Sequence, residues 1–318
     1  MKNKKMSIPT VTIAICALNE ASNIGQLLQS ILEQKEEGYK LEKILLISDG
    51  STDDTVKIAR SFSSPFLEVK AYKERRGKSF RLNEIYSGVT SDIVVQPDAD
   101  VILAHPAVIQ NLVQSFGENP KVGMTGGNAQ PLPAETFLEQ AVNYTLEVYI
   151  PFRKSLRDGH NILSATGRLL AVRRELFQKI TVPQDTIAND GFVYFCCITS
   201  GFQYKYADKA IVYFRSPQIL KDHISQNTRF LATPNWMKKY FPAKLVDKEY
   251  HIPAKLIKKK MLEQCMRHPF HSLFIFLLNK YCLLRANILK SRINALWDIV
   301  YSTKSLSYVK EKSHVKKI

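Results

Sequence analysis

Apolar positions in the first third of the chain follow two rhythms that take turns. Residues 11–18 (VTIAICAL) form a short, β-branched run, which predicts an inner strand covered on both faces. Residues 20–32 then place Ile24, Leu27, Leu28 and Ile31 at helical spacing, so a helix follows. Residues 42–48 (EKILLIS) predict a second strand, and DGSTDDT (49–55) a turn in which Ser51 or Thr52 caps a helix carrying Val56, Ile58, Ala59 and Phe62. Residues 66–72 predict a third strand, 78–86 a third helix and 93–96 a fourth strand. Strands and helices that alternate over residues 11–100 predict an α/β domain with a mostly parallel central sheet, right-handed crossovers and flanking helices.

The second half is less regular. Residues 122–130 and 169–172 predict strands, 134–153 a long helix, 188–199 another helix, and 203–206 and 210–214 two short strands. After Ser216-Pro217 strand signals stop and basic, helical segments follow, so a boundary is expected there. The predicted division is 1–216 for the catalytic domain, 217–268 for a basic helical segment and 269–318 for membrane-interface or packing helices. Residues 270–288 (FHSLFIFLLNKYCLLRANI) are apolar, yet Lys280 stands near their middle with Asn279, Arg285 and Asn287 nearby. A central lysine costs about 2.5–3.5 kcal/mol on insertion into a bilayer. A buried core helix, a membrane-interface helix and a true span stay open, and an interface helix with its cations reaching the headgroups is preferred. Upstream, Ile257, Met261, Leu262, Cys265 and Met266 form an apolar stripe opposite Lys258, Lys259 and Lys260, which suits an anionic lipid surface.

Charge sharpens this picture. The 318 residues hold 45 Lys+Arg against 29 Asp+Glu, a formal net charge of +16. An excess of this size favours an anionic partner. The lysines crowd the last third, from Lys238 to Lys260, and the tail, at Lys310, Lys312, Lys316 and Lys317, which points to a docking surface. The five cysteines are odd in number and contain no C-x-x-C pair, so reduced thiols in a cytosolic compartment are expected. The N-terminal apolar run is too short, and ends in Asn-Glu, for a secretory signal.

Three polar clusters fall at the carboxyl ends of predicted strands: Asn19-Glu20, Asp49-Gly50 and Asp98-Ala99-Asp100. Ligands of open α/β sheets bind at that rim. RGK (76–78) precedes a helix, and a helix N-terminus beside a lysine attracts anions. Alone, Asp98 and Asp100 are a solvated turn or a pair of cation ligands. On one rim with Asp49 and Lys78 they suit a divalent metal, Mn or Mg, that shares its remaining sites with water and a diphosphate.

The order ALNE, DGSTDDT, RGK, DAD, VGMTGG (122–127), TGRLLAVRREL (166–176) and ANDGFVYFCCITSGF (188–202) resembles the inverting family 2 glycosyltransferases of GT-A fold. QNTRF (226–230) is similar to the Q-x-x-R-W signature of polysaccharide synthases and ceramide glucosyltransferases. The resemblance covers roughly residues 9–232. It implies that Ala17, Asn19, Glu20 and Asp49 border the base and ribose of a nucleotide-sugar donor, with Lys78 near the nucleotide. It implies that Asp98 contacts ribose or diphosphate and shares the metal with its ligand Asp100, and that Asp190 deprotonates the acceptor hydroxyl. Gln226 and Arg229 would stand by the diphosphate and the acceptor channel. The implied enzyme moves a sugar from a UDP- or GDP-sugar to a lipid-linked or growing glycan. It would lie in the cytoplasm, peripheral to the inner face of the cell membrane, and serve cell-surface polysaccharide or glycolipid synthesis.

Two departures bear on this. Asn189 stands where the family often has Glu, and Phe230 replaces the signature tryptophan, which keeps an aromatic face but loses an N–H donor. Other classes fit worse. A nucleotidyltransferase needs a glycine-rich loop after the first strand, where this chain has ALNEASN. A Rossmann dehydrogenase needs G-x-G-x-x-G there. Zinc spacings, recognition helices and RNA-binding aromatic motifs are missing, so no nucleic-acid partner is expected.

Overall fold

The structure is a computed structural model that describes residues 8–117, 119–289, 296, 301–303 and 306. The tail lysines from Lys310 onward lie outside the described residues. The sheet is built from β1 (Thr10–Ala17), β2 (Lys40–Asp49), β3 (Leu67–Tyr72), β4 (Ile93–Pro97), β5 (Val101–Leu103), β6 (Val122–Pro131), β7 (Leu169–Arg173) and β8 (Gln203–Phe214). The helices of the first half are α1 (Ile24–Leu32), α2 (Thr55–Arg60), α3 (Lys78–Gly88) and α4 (Val108–Gln114). They are followed by α5 (Phe137–Ser155), α6 (Arg174–Phe177), α7 (Asn189–Thr199), α8 (Leu220–Met237), α9 (Ala243–Tyr250), α10 (Ala254–Arg267) and α11 (Pro269–Leu289).

One eight-stranded sheet has the order β3-β2-β1-β4-β7-β6-β8-β5. The first four strands run parallel, as their continuous apolar runs predict. Alternate residues of these strands feed two cores. Ile13, Ile15, Ile44 and Leu46 pack under α1 and α4, while Ala14, Leu45, Ile47 and Val94 pack under α3 and α7. A strand with both faces buried must be apolar throughout, which is why these segments read as runs and not as alternations.

The second half departs from the sequence reading in three places. First, β7 enters antiparallel between β4 and β6, and β5 lies antiparallel on β8. A period-2 pattern fixes which face is buried but says nothing of the partner's direction. Second, the two short strands predicted at 203–206 and 210–214 are one strand, β8. Its register on β6 jumps from Gly127↔Ala207 to Asn128↔Ile211, so the polar Asp208-Lys209 pair is a bulge and not a turn. Third, the long helix begins at Phe137 because Thr136 caps it, its hydroxyl accepting the Glu139 N–H at 3.1 Å.

The segment after residue 217 joins the core. Ala232, Trp236 and Met237 of α8 and Val246 of α9 pack with Phe192 and Phe195 of α7. Helix α11 is long and apolar enough, by length and composition, to cross a membrane. Its buried residues are Ile275, Cys282 and Ala286, so it is no core helix. Asn279 Oδ1 accepts from Asn227 Nδ2 of α8 at 2.7 Å, and Ile275 packs on Leu138, Ala141 and Val142 of α5. Phe270, Leu273, Leu277, Leu284 and Ile288 face outward, from 59% to 81% exposed. Helix α10 buries none of its residues, so the predicted apolar stripe is open. All five cysteines carry free thiols.

A buried ion pair closes β8 against α5. Arg215 Nη1 donates to Glu139 Oε1 at 2.9 Å, and both side chains are fully buried. Arg215 Nη2 also donates to the more exposed Glu135 at 2.9 Å, so removing Glu139 leaves the buried guanidinium partly compensated and costs at most about 3–5 kcal/mol. Glu139→Ala is therefore expected to lower unfolding free energy by up to that much in urea titration. A wild-type midpoint would refute this role.

Candidate functional site

Parallel strands carry their following loops to one rim, and the ends of β1, β2 and β4 meet there with the start of β7. The loops after β1 and β2 are laced together. Asn19 adopts a left-handed φ of 52° and its Oδ1 accepts the Thr52 N–H at 2.7 Å, while its own N–H donates to Ser51 Oγ at 3.1 Å. The Glu20 N–H donates to Thr55 Oγ1 at 2.7 Å, and Glu20 Oε2 accepts from Asn23 at 2.9 Å. Ser51 and Thr52, expected as helix caps, serve this cross-link instead, and α2 has no side-chain cap. Ala17 is buried at the end of β1.

Asp49, 5% exposed, organises the next loop. Its Oδ1 accepts from the Arg76 N–H at 3.0 Å and Arg81 Nε at 2.7 Å, and its Oδ2 from the Gly77 N–H at 2.7 Å. Gly50 follows with a φ of 80°, and a Cβ there would come 2.9 Å from the Arg75 nitrogen. Arg81 is buried, stacks on Tyr72 and reaches Glu84. Asp49 thus anchors the segment that leads into Lys78 and α3.

Lys78 Nζ forms an ion pair with Asp98 Oδ1. Burial works against the ammonium, but the adjacent carboxylate outweighs it and holds Lys78 above the usual lysine range. Burial pushes the neighbouring Cys16 thiol up to about 12, so it is no nucleophile. Asp98 is half-buried after β4, and Asp100 is half-buried before β5. Asp190 sits in the first turn of α7, where a carboxylate suits the helix dipole. Its Oδ2 accepts the Gly167 N–H at 2.9 Å. Gly167 joins the two acids: a Cβ on it would lie 3.4 Å from Asp98 Oδ2 and 3.5 Å from Asp190 Oδ2. Ser79 Oγ donates to Asn189 Oδ1 at 2.9 Å and ties α3 to α7 beside them.

Arg229, 9% exposed on α8, reaches the same place. Burial pushes its guanidinium down to about 10, and Asp190 and Asp98 pull it back up. Of the residues predicted from sequence, Lys78, Asp98, Asp190 and Arg229 therefore converge, with Asp100 at the next strand. Asn19, Glu20 and Asp49 form the adjoining loop cluster. Gln226 is half-buried about one turn before Arg229. Sequence reasoning missed Gly167, Arg168 and Arg81. The first two stand in TGRLLAVRREL, but only the antiparallel entry of β7 puts them opposite Asp98, through an Asp98 N–H to Arg168 C=O bond of 3.2 Å.

Residues 12–181, just over half of the chain, match the profile of the family described as Glycosyl transferase family 2. The chain is 26% identical over 132 residues to a poly-beta-1,6-N-acetyl-D-glucosamine synthase of Staphylococcus epidermidis, which is 40% of this chain and 30% of that protein. It is 31% identical over 111 residues to a 4,4'-diaponeurosporenoate glycosyltransferase of Staphylococcus aureus, 34% of this chain and 28% of that one. The matched region thus spans under a third of these curated relatives. Among solved structures, a mannosyltransferase from Pyrobaculum calidifontis in complex with GDP-Man and Mn2+ superposes with a TM-score of 0.61 at 18% identity, over 91% of this chain and 88% of that one. Glucosyl-3-phosphoglycerate synthase from Mycobacterium tuberculosis, in complex with Mn2+ and UDP-glucose, gives 0.52 at 20% identity over 71% and 77%. These likenesses are of fold, and the fold is GT-A.

Asp49→Asn removes the more buried of the two carboxylates, Asp49 and Glu84, that offset Arg81. It is expected to lower stability by about 3–5 kcal/mol and to loosen the loop before Lys78. Thermal unfolding and limited proteolysis at residues 74–77 check both. Unchanged protection of that loop would contradict the anchoring role.

Proposed function

The chain belongs to glycosyl transferase family 2, and we propose on that premise that it is an inverting enzyme of cell-surface polysaccharide or glycolipid synthesis. In this reading it moves a sugar from a UDP- or GDP-sugar to a hydroxyl of a lipid-linked or growing glycan. The observation that carries the reading is the convergence of Asp98 and Asp190 on the Cβ-less face of Gly167, with Lys78 and Arg229 alongside. An acceptor hydroxyl has a pKa far above neutral and needs a positioned base as it attacks. Asp190 takes that proton, and attack in line with the leaving group inverts the anomeric carbon. Lys78 and Arg229 face the donor's phosphates. Asn19, Glu20 and Ala17 border the base and ribose, and Asp49 shapes that pocket through the turn at 76–77. Gln226 lies on the acceptor side of α8.

A divalent cation, Mn or Mg, fits this rim. Asp98 and Asp100 offer hard oxygen ligands, and among the described residues no group of three or more His, Cys, Asp or Glu could hold a metal alone. A cation that keeps several waters and shares phosphate oxygens needs no more. Asp98 and Asp100 would hold it, and when bound it supplies positive charge against the diphosphate.

The membrane face is part of the proposal, with residues 1–216 as the catalytic unit, 217–268 bringing Arg229 and Gln226 to it, and 269–318 for docking. Leu256, Met261, Leu262 and Met266 of α10 are 46% to 70% exposed beside exposed Lys255, Lys258 and Lys259, and the apolar side of α11 continues that surface. Apolar side chains ringed by lysines favour an anionic bilayer over water, at about 1 kcal/mol per lysine near the surface. The cytoplasmic leaflet is the anionic one.

Asp190→Asn is expected to cut turnover by about 10²–10⁴-fold while donor affinity, read by calorimetry with Mn2+, stays at wild type. Unchanged turnover would remove Asp190 from the base's role. Sedimentation with vesicles holding anionic lipid at low salt is expected to carry the wild-type protein down. Leu262→Glu with Met266→Glu should leave it in the supernatant. A wild-type protein that stays soluble sinks the membrane reading.

A further inference from the structure

Arg168 immediately precedes β7 and takes no part in the steps assigned to Lys78, Asp190 and Arg229. Its backbone lies between the two acids: its carbonyl accepts the Asp98 N–H at 3.2 Å, and the preceding Gly167 donates to Asp190 at 2.9 Å. Its guanidinium lies on the ring of Phe214, 3.5 Å from the centroid. Phe214 is the cross-strand partner of Val101, the residue after Asp100. The side chain therefore crosses the rim from Asp98 to Asp100. Burial pulls its proton affinity down, and Asp100, Asp98 and Asp190 oppose that pull.

Lys78 discharges itself on Asp98, whereas among the described residues no ion pair takes up Arg168. A cation needed only to balance these acids would gain most by pairing with one of them. Arg168 is instead clamped on a ring, which fixes the plane of the guanidinium and leaves its edge for a planar or tetrahedral oxyanion. Charge-assisted bonds of that kind are the strong ones.

We propose that Arg168 is a further substrate-binding residue of the transfer reaction, its guanidinium receiving the diphosphate of the donor beside Arg229. As the bond from the anomeric carbon to the diphosphate oxygen breaks, its electron pair stays on that oxygen. The acceptor oxygen bonds to the carbon and its proton passes to Asp190. Arg168 then faces the charge that the leaving diphosphate gains. The inference rests on the nucleotide-sugar reading, and its test separates the two.

Calorimetry with UDP, UMP, GDP and GMP, each with Mn2+, is run on wild type, Arg168→Gln, Arg168→Lys and Phe214→Leu. Wild type should bind one diphosphate more tightly than its monophosphate. Arg168→Gln is expected to weaken the diphosphate by about 10-fold or more and to leave the monophosphate unchanged. Arg168→Lys should fall between, and Phe214→Leu, which keeps the charge but frees it, should weaken the diphosphate selectively. If Arg168→Gln fails to fold, the other two variants carry the same comparison. Equal loss for diphosphate and monophosphate means a structural role and overturns the proposal, as does unchanged diphosphate affinity. Wild type that binds none of the four sinks the donor reading and this inference together.

Discussion

Three carboxylates, Asp98, Asp100 and Asp190, crowd one rim of the sheet, and their mutual repulsion is the constraint that orders the rest. Like charges that close repel unless cations stand among them. The cations come from three different places: Lys78 from the start of α3, Arg168 from just before β7 and Arg229 from α8. None of these elements neighbours another in sequence. These cations meet at the rim only once the second half has packed against the first, so the site depends on the whole fold. That coupling also explains why α8 packs Trp236 and Met237 into the core beneath α7 when its sequence looks like a basic appendage.

The parallel half of the fold was legible because its strands are buried on both faces and its helices on one. Ile24, Leu27, Leu28 and Ile31 are buried as their spacing predicts, and so are the apolar residues of β1, β2 and β4. The placement of the polar clusters at the ends of those strands was legible for the same reason, since a polar pair after an apolar run marks a rim. What the residues hide is pairing at a distance. Asp49 reads as the first residue of a turn, yet its partners Arg76, Gly77 and Arg81 come from the next βα unit. Gly167 reads as an ordinary glycine until β7 is known to run antiparallel to β4.

The bulge in β8 illustrates the opposite failure, in which local chemistry was read correctly and its consequence wrongly. Asp208-Lys209 is turn-like, and the chain does leave the ladder there. Asn128 Nδ2 donates to the Asp208 carbonyl at 3.0 Å, and Lys154 pairs with the Asp208 carboxylate. These contacts satisfy the polar groups that a bulge exposes, so the strand resumes instead of reversing. Phe214 consequently arrives at the rim opposite Val101, which is what lets it carry Arg168.

Helix α8 joins the two halves of the functional reading. One of its faces carries Arg229 into the acidic rim. Another presents Asn227 and His223 to Asn279 of α11, with His223 Nε2 3.1 Å from its Oδ1. A polar group inside an apolar helix costs free energy unless it is bonded, so Asn279 fixes the register in which α11 meets α8. The contact with α11 and the cation at the acidic rim are therefore set by opposite sides of one helix. Cations at the rim are matched by acids, whereas Lys255, Lys258 and Lys259 of α10 stand exposed and contribute to the net charge of +16.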